Sequence, residues 1–108
     1  MFVRFIYYVL DDEGEPLACD DVIVWAKWFE TAQRVVARTR IDNQTEVSTV
    51  FLGLDHRFGA PGAPLLFETL VFGGKLDGEQ KRYTSRVEAE AGHVAMVRAS
   101  SQHMKKGS

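Results

Sequence analysis

Shortages narrow what this sequence can encode before any motif is considered. Its 108 residues hold a single cysteine, Cys19, so an intrachain disulfide is impossible; that fits a reducing compartment and predicts a cytoplasmic location. No apolar run is long enough to cross a bilayer, and the opening MFVRFIYYVLDDEG lacks the basic start of a signal peptide. A formal charge of −2 leaves no excess of cations to hold nucleic acid. No internal repeat is visible, and the length suits one domain with one core. The charge is nonetheless uneven: Asp11, Asp12, Glu13, Glu15, Asp20 and Asp21 fall together with no lysine or arginine among them.

What is present is a series of strand-forming stretches. Phe2–Leu10 is aromatic and β-branched and stops at an Asp/Gly/Pro cluster, so it predicts a strand. Asp11–Asp21 reads as a solvated acidic loop; its carboxylates and glycine do not have calcium-loop spacing. Asp20 or Asp21 can cap a short helix over Val22–Thr31, where Trp25, Trp28 and Phe29 share one side and read as core. Arg34–Ile41 and Glu46–Asp55 predict a hairpin around Asp42-Asn43-Gln44-Thr45, in which Ile41 opposes Glu46. That register puts Val35, Ala37, Ile41, Val50 and Leu52 on a core face, and Arg34, Val36, Arg38, Arg40, Val47, Thr49 and Phe51 on the other.

His56–Ala63 is a Gly/Pro loop with Phe58 exposed, after which Pro64–Phe72 returns as a strand with Phe67 beside Leu52. Arg82–Thr84 adds a short edge strand. Ser85-x-x-Glu88 is a capping box opening a helix to about Ala99, with Val87, Ala91, Val94 and Arg98 along the line expected to face the sheet. Gly92 within it costs about 1 kcal/mol relative to alanine, so close approach of backbones is expected there. The expectation is a single α+β domain over residues 1–99: a four-stranded, mainly antiparallel sheet, a short helix after the first strand and a longer C-terminal helix. Residues 100–108 read as a disordered tail, with Gly107-Ser108 fitting an appended cloning remnant.

Three stretches carry a resemblance: Thr49–His56 (TVFLGLDH), Phe67-Glu68-Thr69, and Glu88-Ala89 followed by Gly92-His93. With YYVLDDEGEPLACDDVIVWAKWFE before them, the chain resembles a family of small proteins from bacteriophage and prophage genomes, over nearly its whole length except the tail. Arg86 departs from the tryptophan usual at that place. The resemblance implies a phage-type origin and brings neither cofactor nor catalytic residue.

Two functional readings follow from the residues. Asp55, His56, Glu68, Glu90 and His93 supply a ligand set suited to a divalent metal, which would make a small metal-binding or hydrolytic module. No H-E-x-x-H or similar spacing is present, however, and each residue has a structural alternative: Glu68 can pair with Arg34 or Arg38, Asp55-His56 can end a strand, and His93 can bond Glu90 or a carbonyl. Cys19 is flanked by two aspartates that disfavour a thiolate, and the glycines at 73, 74 and 78 do not have phosphate-loop spacing. The Arg34/Arg38/Arg40 face with Phe51 could touch nucleic acid, but Glu68 and the net charge oppose it. The favoured reading is a non-enzymatic interaction protein without cofactor. It would act through an uncovered sheet face of Val36, Arg38, Val47, Phe51, Leu66, Leu70 and Phe72, binding a protein partner or a second copy.

Overall fold

The computed structural model describes residues 5–106, and side chains as far as Gln102. In chain order the elements are strands β1 (Tyr7–Leu10) and β2 (Pro16–Cys19), helix α1 (Val22–Thr31), strands β3 (Val35–Asp42), β4 (Thr45–Phe51), β5 (Phe67–Phe72) and β6 (Gln80–Tyr83), and helix α2 (Arg86–Lys106). The fold is α+β. β3 to β6 form a four-stranded antiparallel meander in sequence order, and β1 and β2 form a separate antiparallel hairpin. None of the described helices is long and apolar enough to cross a membrane.

The meander is dry on one face. Val47, Thr49 and Phe51 of β4 stand beside Val71, Thr69 and Phe67 of β5, and all six are buried. α2 lies across the four strands on this side. Its own chemistry sets where it starts and which side faces the sheet. Ser85 accepts from the Glu88 backbone N–H at 3.1 Å, the cap half of the expected capping box, while the Glu88 carboxylate takes the hydroxyls of Thr84 and Ser85 in place of the Ser85 backbone N–H. Ala89, His93 and Ser100 then face inward. Gly92 sits over the Tyr83 ring: a Cβ there would lie 2.2 Å from the Tyr83 hydroxyl. The close approach anticipated at this glycine is made by an aromatic side chain, not by another backbone.

Three expectations about faces need correction. The β3–β4 turn has only two central residues, Asn43 and Gln44, with Asp42 opposite Thr45 and its carboxylate taking the Gln44 N–H at 2.8 Å. A bulge at Ile41 then shifts the register, so Arg40 opposes Glu46 and Thr39 opposes Val47. Phe67 correspondingly pairs with Phe51, not Leu52. A slip of one residue exchanges faces, so Val47, Thr49 and Phe51, expected outside, form the interior. In α2, the line expected inside is outside: Val87 is 72% and Val94 55% exposed. The small residues and the Tyr83 contact turn the helix the other way.

The N-terminal part also differs. Phe2, Val3 and Arg4 lie outside the described residues, and the strand proper spans Tyr7–Leu10. It does not join the meander; Asp11–Asp21, expected as loop, supplies its partner β2. Asp11 makes this possible, its carboxylate accepting from the N–H groups of Glu13 and Glu15 at 2.9 Å to close the hairpin turn. At the other end of the chain, α2 continues past Ala99 to Lys106, with Ser100 buried. Nothing in Ser100–Lys106 breaks a helix, and the two lysines suit a C-terminal end; Gly107 and Ser108 lie outside the described residues.

The Tyr83 contact yields a prediction whose sign opposes helix propensity. Gly92→Ala should gain about 1 kcal/mol from propensity but lose about 1–3 kcal/mol to overpacking. A net fall in unfolding free energy is therefore expected, measured from urea transitions; a stabilised variant would refute this packing.

Candidate functional site

The five possible metal ligands do not converge. Among the described residues no group of three or more His, Cys, Asp or Glu side chains could hold an ion. Asp55 is buried and holds its loop, its carboxylate accepting from the N–H groups of Arg57 and Leu65. Glu68 lies on the sheet face away from α2 and pairs with Arg82 at 2.9 Å, so the expected Arg34 or Arg38 is not its partner. Glu90 pairs with Arg86 on the helix surface at 3.5 Å. His56 packs against the Phe58 ring, centroids 5.0 Å apart, and its Nδ1 is buried without a hydrogen-bond partner among the described residues. Desolvation, with Arg82 nearby, lowers its pKa from 6.5 against the pull of Glu68 and Asp55.

His93 is buried between α2 and the sheet. Its Nε2 lies 2.9 Å from the Thr39 hydroxyl and its Nδ1 2.7 Å from that of Thr49, which in turn contacts the Thr69 hydroxyl at 2.6 Å. Neither Glu90 nor a strand carbonyl is its partner. Two threonines thus bond one imidazole from α2, and Thr49 extends the network to Thr69 on a third strand. Such a network pins helix to sheet, because any slip would strand buried polar groups. Burial lowers the His93 pKa from 6.5, so the neutral ring is favoured.

The predicted interaction residues are divided by the sheet. Val47, Phe51 and Leu66 are buried, and Val36 packs against the same core. Only Arg38, Leu70 and Phe72 remain on the outer face. There they stand among Glu46, Glu68 and Arg82, with Arg38 and Arg40 placed 3.4 and 3.8 Å from Glu46. This face is a lattice of paired charges with isolated apolar side chains, which water serves well.

The larger apolar surface lies elsewhere, on α1 and β2. Asp21 caps α1 by accepting from the N–H groups of Ile23 and Val24. Trp25, Trp28 and Phe29 turn inward. Trp25 packs on Tyr7 and Phe29, ring centroids 4.8 Å apart in both cases, and its indole N–H is shared between the carbonyls of Tyr8 and Gly53. Phe29 needs the glycine at 53, since a Cβ there would lie 2.9 Å from its ring. The rest of the helix is uncovered: α1 has no buried residue, and Val22, Ile23 and Val24 all remain exposed, Ile23 to 62%. Leu17 is exposed as well, on the hairpin face that it shares with Tyr7, Val9 and Cys19 and on which α1 packs through Tyr7. Sequence reading passed over this surface by attending to the Trp/Phe stripe. The signal was Val22-Ile23-Val24 itself, since three successive helical residues spread over about 200° cannot all face one core.

Two hollows lie among the described residues. One of about 360 Å³, between the hairpin turn and the starts of β3 and α2, is lined by Asp11, Asp12, Trp28, Arg34 and Arg86 among others. The other, about 390 Å³, is lined by Ile6, Asp55, Phe58 and Gly59, with Phe58 exposed as expected and at φ 51°. Neither brings together a nucleophile and a base. No protein-family model matches the chain, and no curated protein or solved structure is significantly similar to it.

Both imidazoles have folded pKa values below 6.5, so as pH falls the unfolded chain takes up protons first. Their contribution to stability should be complete above about pH 6.5 and decline below it, by at most about 1.4 kcal/mol per pH unit for each ring. His93→Gln should lower stability at pH 7.5 by about 1–3 kcal/mol through unpaired threonines and also flatten the acid limb. Urea titrations between pH 5 and 8 measure both; an unchanged slope would exclude His93 from the acid response.

Proposed function

We propose that this chain is a non-enzymatic interaction protein, of the phage type that its sequence resembles, and that it docks a protein partner through α1 and β2. The reading rests on one observation: a ten-residue helix rich in valine, isoleucine and aromatics in which no residue is buried. Full burial of an aliphatic side chain is worth about 1.5–3 kcal/mol, so leaving Leu17, Val22, Ile23 and Val24 largely in water forgoes several kcal/mol that a partner could supply. Exposed apolar side chains gathered in one short stretch of the chain support an interface reading. The paired charges of the outer sheet face do not favour that face for docking.

A photoreactive p-benzoylphenylalanine in place of Ile23 should give a discrete covalent adduct with a partner in cells expressing the chain, and the same group in place of Phe72 should not. Adducts from position 72 alone would move the interface to the sheet; adducts from neither would end the interaction reading. As a control, Ile23→Glu should change unfolding free energy by no more than about 0.5 kcal/mol, because the position is exposed.

A further inference from the structure

Phe58 stands where the fold alone gives no reason for a phenylalanine. Its ring is 74% exposed, the most of any large apolar side chain described, and its φ of 51° is the only positive value among the described non-glycine residues. Glycine or asparagine meets such a backbone with less strain and puts no phenyl ring into water. The loop around it is nonetheless firmly braced. The buried Asp55 carboxylate takes the N–H groups of Arg57 and Leu65, Arg57 Nε donates to the Ala63 carbonyl, and the His56 ring packs on Phe58. Strained backbone of this kind clusters at binding sites, and a loop already braced loses less freedom on binding.

Beside this projecting ring lies a recess. The hollow of about 390 Å³ is lined by Phe58 itself with Ile6, Asp55 and Gly59; Ile6 is exposed, and a Cβ added at Gly59 would meet nothing within 4 Å. A benzene ring needs only about 150 Å³. We infer that this surface is a twofold contact between two copies of the chain, each seating Phe58 in the Ile6–Gly59 hollow of the other. A knob and a recess side by side on one surface are self-complementary, since a twofold axis between them brings each ring to the other's recess at once. Charge does not oppose the pairing. Phe58–Phe67 contains no charged residue, and Arg57 is folded under its own loop, its guanidinium carbon 2.7 Å from where a Gly62 Cβ would stand. A bilayer or a phosphate backbone calls for free cations around the ring, and this loop has none to offer. The contact uses no residue of α1 or β2, so it is independent of the docking role proposed for them.

Sedimentation equilibrium of the full chain from micromolar to millimolar concentration tests this. The mass should rise from one chain towards two and stop there, because a twofold contact closes on itself. Phe58→Asn, which suits the left-handed backbone and so keeps the loop, should weaken association about tenfold, as loss of a central aromatic anchor does. Ile6→Glu should weaken it similarly. Isotope-labelled chain mixed with unlabelled chain carrying p-benzoylphenylalanine in place of Phe58 should, on irradiation, give adducts on the labelled peptide that contains Ile6. A mass of one chain throughout, or a dimer indifferent to Phe58→Asn, would overturn the inference. So would a dimer lost only with Ile23→Glu, which would move the contact to α1, or a single-chain mass with Phe58-dependent sedimentation on phosphatidylcholine vesicles, which would give the ring to a membrane.

Discussion

Trp28 approaches Phe51 edge-on, ring centroids 6.0 Å apart at 83°, and joins α1 to the meander. Phe51 is fully buried against Phe67 and belongs to the meander; Trp28 belongs to α1. Two residues further along, Gly53 takes the Trp25 indole and the Tyr8 N–H on one carbonyl, so the same short stretch holds helix and hairpin together. Phe51 to Gly53 is thus where the α1–β2 surface gains its rigidity. Together with the Tyr7–Leu54 bridge and the Arg86–Gly14 hydrogen bond, this junction orients the exposed valines and isoleucine relative to the meander.

The two faces of the meander illustrate different ways to satisfy polar groups. Beneath α2, three hydroxyls and one imidazole bond each other between helix and sheet, which demands accurate geometry and rewards it with a single arrangement of helix on sheet. On the outer face, arginine and glutamate pairs remain wet and contribute little each, but keep the face soluble. Polar side chains therefore fix the fold on one side and protect it on the other. Neither side gathers them into a reactive constellation.

Local signals were the legible ones. Asp21 and the Ser85/Glu88 pair announce helix starts because a cap involves only a few neighbouring residues; the Asp21 cap forms as read, and Ser85 caps α2 with Glu88 turned to the Thr84 and Ser85 hydroxyls. The α+β class and the meander followed from the same kind of local patterning. What could not be read depended on distant partners or on one-residue details. The bulge at Ile41 reversed the faces of a hairpin whose turn position was nearly right. β2, with the sequence PLAC and no β-branched residue, is a strand only because β1 and the Asp11 turn make it one. The scattered metal candidates show the same limit from the other direction: residue types suited to chemistry were present, but their meeting point had to come from topology.

The outermost strands of the meander carry a consequence for behaviour at high concentration. Arg38 and Arg40 lie on β3, and Lys81 and Arg82 on β6, and each of these strands has one side without a neighbour in the sheet. Lining up a further strand from another molecule would crowd guanidinium and ammonium groups together, a barrier to fibre growth. A chain built this way can keep greasy side chains on display elsewhere without polymerising through its backbone.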